Sequence, residues 1–262
     1  MRLVVVGGGK MGEALVTGVL GSKWARANQV AIVEALPSRR ADLERLFPGV
    51  AVRSDVPKSA DGVILAVKPG DVPEACGAIA ASRPKRVLSI AAGVTLASLE
   101  KWLGDIPVVR AMPNTPALIG AGAAAIAPGS SATPADMAWA EGVLGSVGLV
   151  VRLTEKSLDA VTGLSGSGPA YVFLVAEALV DAGVLAGLDR ATSAALTRQT
   201  MLGAARMLAE SEELPEALRA AVTSPGGTTA AGLRALEERA VRSAFLEAVM
   251  AATERSRQLG TT

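Results

Sequence analysis

The 262-residue chain contains no histidine, the side chain most often used as a general acid or base and as a metal ligand. Histidine-based catalytic triads and histidine-ligated zinc sites are therefore excluded. The single cysteine, Cys76, also excludes an internal disulfide and a cysteine-cluster metal site, so we expect no bound metal. Cys76 stands in an apolar-periodic stretch at residues 72–80, where we expect burial. Any chemistry must use a cofactor, carboxylates, hydroxyls, lysine or backbone groups.

Long apolar runs and an excess of charge are also missing. Hydrophobic residues make up 50% of the chain and the mean hydropathy is +0.39, yet no run of about 18 uninterrupted apolar residues indicates a membrane-spanning helix. The net charge is +1 and there is no basic tract, so we expect neither nucleic acid nor a membrane surface as partner. The opening apolar run is too short for a signal peptide, which predicts a cytoplasmic protein.

A glycine pattern follows that opening run. Residues 2–6 (RLVVV) predict a buried strand and residues 13–20 predict a helix. Between them, Gly7, Gly9 and Gly12 fill the G-x-G-x-x-G pattern of a dinucleotide site. In such sites the glycines permit the tight turn, the approach of the pyrophosphate and the packing of helix on strand. The alternative is a glycine turn that serves backbone geometry alone.

Predicted strands and helices alternate as far as residue 153, and only helical periodicity follows. This predicts an α/β Rossmann-type doubly wound parallel sheet at residues 1–153 and an all-α domain at residues 154–262. Glycine-rich residues 163–170 are expected to break a helix that starts at residue 157. The next helix, from residue 169 to about 186, is apolar on nearly every side, so we expect a second subunit to cover part of it.

The residues after the second predicted strand bear on the choice of cofactor. Glu34 follows the strand at residues 30–33 and stands about 20 residues beyond Gly12, the spacing at which an acid binds the ribose 2′-hydroxyl of NAD. Ser38, Arg39 and Arg40 would suit the 2′-phosphate of NADP instead, or form a solvated helix start. These alternatives stay open on the sequence alone.

A second candidate site is the Ser-Pro-Gly-Gly-Thr-Thr sequence at residues 224–229, which opens a predicted helix. Its bare backbone N–H groups and two hydroxyls suit a small carboxylate. The alternative is an ordinary helix start in which Thr228 or Thr229 is the N-cap residue.

Five stretches resemble the pyrroline-5-carboxylate reductases. They are residues 66–69 (AVKP), 89–94 (SIAAGV), 111–116 (AMPNTP), 163–171 (GLSGSGPAY) and 223–229 (TSPGGTT) with the following Ala231, Gly232 and Leu233. The resemblance runs from Arg2 to the last helix. It implies an NAD(P)H-dependent oxidoreductase that transfers hydride to the imine carbon of 1-pyrroline-5-carboxylate, giving L-proline in the last step of proline biosynthesis.

The resemblance also implies roles for individual residues. Thr229 would be catalytic, with its hydroxyl on the substrate ring nitrogen. The other substrate-binding residues implied are Glu212, beside the substrate in some members, and Ser224, Gly226, Gly227 and Thr228 at its carboxylate. The cofactor-binding residues implied are Gly7, Gly9, Lys10, Met11, Gly12, Leu36, Ser38, Ala66, Val67, Lys68, Pro69, Ala91, Ala92 and, near the nicotinamide, Asn114.

The family resemblance implies NADP, as NADPH, as the default cofactor, with NAD, as NADH, also possible. This chain departs from the family at Leu36-Pro37, where many members carry a polar or basic residue. In the family the helical domains interleave as a homodimer, and dimers often form a homodecamer. Two alternatives remain. One is a 3-hydroxyacid-dehydrogenase-like oxidoreductase, which would use a catalytic lysine on a helix of the second half; it is disfavoured because Lys156, before the 163–171 motif, is the only lysine after residue 150. The other is a non-enzymatic dinucleotide-sensing protein.

Overall fold

The computed structural model describes residues 1–260 and is built on an eight-stranded sheet. The strands are β1 (Leu3–Val6), β2 (Val30–Val33), β3 (Ala51–Arg53), β4 (Val63–Leu65), β5 (Val87–Ser89), β6 (Val108–Met112), β7 (Gly122–Pro128) and β8 (Gly148–Arg152). Their order across the sheet is β3-β2-β1-β4-β5-β6-β7-β8. The doubly wound α/β sheet predicted from the sequence is thus confirmed.

One pair of strands departs from the predicted parallel arrangement, because β7 is antiparallel to β6. The connection between Met112 and Gly122 contains only the 3₁₀ turn Thr115–Ile119. It is shorter than the roughly dozen residues that a parallel crossover needs, so the chain must reverse. A helix then returns the chain, and β8 is again parallel to β7.

Five helices cover the two faces of the sheet. They are α1 (Lys10–Gly21), α2 (Pro37–Leu46), α3 (Val72–Ser82), α4 (Leu96–Leu103) and α5 (Pro134–Leu144). Neighbouring residues of β1 point to opposite faces, and both are fully buried: Val5 packs in the core with Leu15 of α1, and Val4 packs in the core with Cys76 of α3. Burial of Cys76 is as predicted. Strands buried on both faces explain why these segments are continuous apolar runs.

Beyond β8 the described chain is helical. The helices are α6 (Leu158–Val161), α7 (Gly168–Leu185), α8 (Arg190–Glu210), α9 (Pro215–Ala221), α10 (Thr228–Glu238) and α11 (Val241–Gly260). The expected break after α6 is wrong, since the chain continues as a π-helical turn, Thr162–Gly166, closed by the Ser167 N–H donating to the Thr162 carbonyl at 2.8 Å. Gly166 has no Cβ, and one built there would lie 2.7 Å from the Met112 side chain. The glycine motif therefore widens the helix without ending it.

The described chain divides into two compact units. One contains residues 1–167 together with the part of α11 from Met250, and the other contains residues 168–249. In the first unit, Ser256 of α11 donates a hydrogen bond to Asp159 of α6 at 2.7 Å. In the second, Ser193 of α8 donates to the Val180 carbonyl of α7 at 2.7 Å. The boundary near residue 153 inferred from the sequence marks the end of the sheet and stays a prediction as a domain boundary.

Helix α7 is exposed in the single chain, with none of its residues buried. Phe173 and Leu174 are 63% and 66% exposed, as expected for a helix that one chain cannot cover. By length and composition alone, the helical run Glu155–Leu185 is apolar enough to cross a membrane. Charged residues such as Asp159 and Glu177 interrupt this run, so it contains no uninterrupted apolar stretch of about 18 residues. The same criteria are also met by core helices of proteins outside membranes, so the finding is weak evidence for a span.

Candidate functional site

The carboxyl ends of the parallel strands bring the predicted cofactor residues to one edge of the sheet. The last residues of β2 and β4 both pair with Val6, the last residue of β1. Gly7, Glu34 and Ala66, which directly follow these three strands, therefore lie side by side. The order of the strands reverses at β1, the point at which open α/β sheets bind ligands.

The three glycines of the turn have different surroundings. Gly7 has φ +108°, and a Cβ there would overlap the Ala66 carbonyl; a Cβ on Gly12 would overlap the Gly7 carbonyl. Gly9 has an ordinary φ of −69°, and a Cβ there would meet no heavy atom of the described residues within 4 Å. Backbone geometry alone thus explains why residues 7 and 12 are glycine, but it does not explain the glycine at residue 9. The open space above Gly9 fits an approaching pyrophosphate.

Helix α1 begins directly at this space. Its N-cap is Gly9, which has no side chain to cap the first-turn N–H groups, so they are available to an anion. Lys10 is exposed at the first helical position, and Met11 is half-buried against the core. The residues present therefore fit the phosphates of a dinucleotide.

Glu34 and the two arginines are held by the protein itself. The two carboxylate oxygens of Glu34 accept hydrogen bonds from the N–H groups of Gly8 (3.0 Å) and Leu36 (2.9 Å). Arg39 donates to the Gly8 carbonyl at 2.8 Å and forms an ion pair with Glu13. Arg40 donates to the carbonyls of Glu34 (2.9 Å) and Ala35 (2.7 Å). The arginines are therefore bonded within the fold, and the interpretation of a merely solvated helix start is wrong for them.

The remaining predicted cofactor residues line the same edge. Leu36 is the N-cap of α2 and is 62% exposed, and Ser38 is exposed in the first turn of that helix. Residues 66–69 leave β4 and enter a 3₁₀ turn, with Lys68 and Pro69 exposed. After β5, Ala91 is buried and Ala92 is exposed, so the latter presents a small side chain to the surface.

Asn114 is buried just after β6, and its amide is bonded on both sides. Its oxygen accepts a hydrogen bond from the Ala123 N–H at 2.8 Å, and its nitrogen donates to the Ser165 carbonyl at 3.0 Å. Asn114 thus fixes the π-helical turn Thr162–Gly166 beside the end of β6. The sequence did not predict this turn, although π-helical turns are frequent at functional sites. The glycines of the 163–171 motif were the available signal.

A buried ion pair that the sequence does not predict joins Arg110 and Glu155. Arg110 of β6 is 8% exposed and donates to the Glu155 carboxylate at 2.7 Å. The same carboxylate oxygen accepts the N–H of Leu96 at the start of α4, at 2.6 Å. The pair therefore joins the sheet, α4 and the first residues of the helical region, and no local sequence pattern links residues so far apart.

The predicted substrate loop lies in the second unit and forms a tight turn before α10. The Gly227 N–H donates to the Ser224 carbonyl at 3.1 Å, and Gly226 has φ +69° at the third position of the turn, after Pro225. Proline followed by a residue with positive φ is the pattern of a type II turn. A Cβ on Gly227 would overlap the Ser224 hydroxyl oxygen.

The start of α10 leaves its N–H groups available. Gly227 is the N-cap, so the alternative in which Thr228 or Thr229 caps the helix is wrong. Thr228 is exposed and Thr229 is half-buried, both in the first turn. That turn contains no acidic residue and carries the positive end of the helix dipole, which suits a carboxylate. Glu212 is exposed in the connection between α8 and α9 of the same unit.

A groove of about 620 Å³ lies elsewhere and contains none of these residues. Pro128, Met137, Arg152 and Ser157 are among its lining residues. Because β7 is antiparallel to β6, Pro128 is at the opposite edge of the sheet from the carboxyl ends of β1 to β6. The groove therefore coincides with neither of the two predicted sites.

Comparison with known proteins matches both halves of the chain. Residues 155–259 match the family model described as pyrroline-5-carboxylate reductase dimerisation. Residues 2–93 match the model described as NADP oxidoreductase coenzyme F420-dependent. The first match begins at Glu155 and includes the exposed helix α7. The chain therefore carries a dimerisation domain after its sheet.

Relatives that match along nearly their full length indicate the same family as the model matched by residues 155–259. The chain is 44% identical to the pyrroline-5-carboxylate reductase of Synechocystis sp. over 99% of this chain and 98% of the relative. A solved pyrroline-5-carboxylate reductase from Coxiella burnetii has a TM-score of 0.93 and 36% identity, covering 100% of this chain and 99% of that one.

A Plasmodium falciparum pyrroline carboxylate reductase solved with NADP bound has a TM-score of 0.86 and 30% identity, with 99% of this chain and 98% of that chain covered. These relatives share one activity, which is that of an NAD(P)H-dependent oxidoreductase. Neither the hydroxyacid dehydrogenase nor the sensing-protein alternative is needed to explain them. On this sequence and this fold, the chain belongs to the pyrroline-5-carboxylate reductase family.

Proposed function

We propose that this chain reduces 1-pyrroline-5-carboxylate to L-proline, with NADPH or NADH as hydride donor. The observation that carries the proposal is that two helices begin at a glycine N-cap, so that no capping side chain occupies their first backbone N–H groups. These helices are α1, which follows the glycine turn, and α10, which follows the turn at residues 224–227. One suits a pyrophosphate and the other a small carboxylate. The family membership supplies the reaction that needs both.

The cofactor half of the proposal rests on the first unit. The N–H groups of Lys10 and Met11 would hold the pyrophosphate beside Gly9, and the residues after β4 and β5 would line the dinucleotide. When bound, the nicotinamide supplies the hydride. Asn114 acts through the π-helical turn that it fixes, which makes it a positioning residue near the nicotinamide.

The substrate half rests on the loop before α10. The substrate carboxylate would be held by the N–H groups of Ser224, Gly226 and Thr228, because Pro225 has no N–H and that of Gly227 bonds the Ser224 carbonyl. The Thr229 hydroxyl would bond the ring nitrogen. Glu212 lies beside the substrate and balances the positive charge of the ring. An iminium that binds already protonated needs no strong protein acid, which fits a chain without histidine. The protein's contribution is then orientation of the imine carbon towards the hydride.

We propose that the working form is a homodimer, or a homodecamer built from five such dimers. The exposed apolar residues of α7 and the match to a dimerisation model support this. A second copy covers the run Glu155–Leu185, so that no membrane is required. We also propose a soluble enzyme of the cytoplasm, in keeping with a chain whose one cysteine has no disulfide partner. Light scattering of the purified protein gives the number of subunits.

Replacement of Thr229 tests the proposed mechanism. Thr229→Ala is expected to lower kcat/KM for pyrroline-5-carboxylate by about 10²-fold, the low end for loss of a group that manages a proton. Thr229→Ser keeps the hydroxyl and should recover most of the rate. The assay is the loss of reduced cofactor absorbance at steady state.

A matched control is Thr192→Ala. Thr192 is exposed in the first turn of α8, a corresponding position on a different helix. Its kcat/KM should equal that of the wild type. An unchanged kcat/KM in Thr229→Ala would remove Thr229 from the mechanism.

A further inference from the structure

The end of β2 carries an acidic group whose geometry is fixed. Glu34 is half-buried, and each of its carboxylate oxygens accepts one backbone hydrogen bond, from Gly8 or from Leu36. Gly8 belongs to the glycine turn, so the Glu34 carboxylate is hydrogen-bonded to the loop that we propose binds the pyrophosphate. Each oxygen keeps a free lone pair that can accept a hydroxyl proton.

The two arginines near Glu34 both bond to the protein itself. Arg39 forms an ion pair with Glu13 of α1 and donates to the Gly8 carbonyl, and Arg40 donates to two carbonyls at the end of β2. The four side chains Glu13, Glu34, Arg39 and Arg40 sum to zero charge. These four side chains therefore provide no net positive charge for a phosphate dianion.

We propose that Glu34 makes this enzyme prefer NADH to NADPH, which rests on the proposed binding of the dinucleotide at the glycine turn. The carboxylate accepts a hydrogen bond from the adenosine ribose 2′-hydroxyl of NADH. In NADPH the same position carries a phosphate, which meets a fixed negative charge and loses that hydrogen bond. Discrimination against a charged group of the same sign is a strong form of specificity.

Binding to the protein without substrate tests the preference directly. The dissociation constants of NADH and NADPH are measured by titration calorimetry on the wild type at one salt concentration. We expect NADH to bind at least about tenfold more tightly. Equal binding, or tighter binding of NADPH, would overturn the proposal.

Two variants identify the cause. Glu34→Gln removes the charge and should reverse or abolish the preference by weakening NADH and strengthening NADPH. Glu13→Gln releases Arg39 from its ion pair and should strengthen NADPH alone, several-fold. The matched control, Glu44→Gln, removes one negative charge from an exposed position of α2 and should leave the ratio at the wild-type value.

Each outcome decides the matter. If Glu34→Gln is folded and keeps the wild-type ratio, the carboxylate does not set the preference and the proposal fails. If Glu34→Gln does not fold, the wild-type affinities decide, since equal or tighter binding of NADPH overturns the proposal. These titrations need no imine, so they separate the inference from the proposed reaction. A protein that makes proline fastest with NADPH would refute only the preference, and one that prefers NADH but makes no proline would refute only the reaction.

Discussion

Replacement of Gly9 by valine separates cofactor binding from folding. Gly9 has a φ that valine readily adopts, and its Cβ would enter open space. The fold should therefore persist. Valine is a poorer N-cap than glycine by roughly 0.5–1 kcal/mol, so the loss of stability is small. For a domain of this size such a loss lowers Tm by only about 1–4 °C.

Cofactor binding should change far more. The valine side chain would occupy the space that we assign to the pyrophosphate and would hold it away from the first N–H groups of α1. Two charge-assisted hydrogen bonds of about 1.5–3 kcal/mol each would be lost, roughly 3–6 kcal/mol in total. This corresponds to a dissociation constant about 10²- to 10⁴-fold higher.

The assay is calorimetric titration of the folded variant with NADH and with NADPH. Gly21→Val is the matched control, because Gly21 lies at the other end of the same helix and a Cβ there also meets open space. It should bind both cofactors as the wild type does. Normal affinity in a folded Gly9→Val protein would refute the assignment of the glycine turn to the pyrophosphate.

Two further predictions concern buried groups. Glu155→Ala leaves the Arg110 guanidinium buried without its carboxylate and should lower the free energy of unfolding by about 3 kcal/mol. The control is Asp42→Ala, which removes an exposed ion pair with Arg45 and should lower it by less than about 1 kcal/mol. Urea unfolding measures both. Burial raises the pKa of Cys76 to about 11 from an ordinary value of 9.0. The native thiol should therefore resist disulfide reagents at neutral pH and react once unfolded. Because the pKa of Cys76 is higher in the folded protein than in the unfolded chain, the contribution of the thiol to the free energy of unfolding is full below pH 9.0 and falls as pH rises towards 11. Measuring the free energy of unfolding of the wild type and of Cys76→Ala as a function of pH checks this.

Much of the sheet could be predicted because its strands are short, apolar and β-branched. Residues 30–33 form β2 as predicted, and Thr95 caps α4 by accepting the Ser98 N–H at 3.2 Å. The direction of β7 could not be predicted, because apolar periodicity is the same in parallel and antiparallel strands. Only the length of the connection before it carries that information.

The site was predicted in part for a similar reason. The glycine pattern specifies a turn whose geometry recurs, so Gly7, Gly9 and Gly12 lie at the start of α1. The sequence did not reveal that Arg39 and Arg40 are bonded to the protein, because their partners depend on the packing of α2 beside the glycine turn. The residue roles themselves rest on the family resemblance and stay predictions.

The fate of the transferred hydrogen tests the central claim most directly. The protein is supplied with pyrroline-5-carboxylate and a dinucleotide deuterated at the transferred position of the nicotinamide, and the product is analysed by mass spectrometry and NMR. We expect L-proline with a single deuteron on the former imine carbon. Absence of proline, or proline without deuterium at that carbon, would contradict hydride transfer from a cofactor bound at the glycine turn.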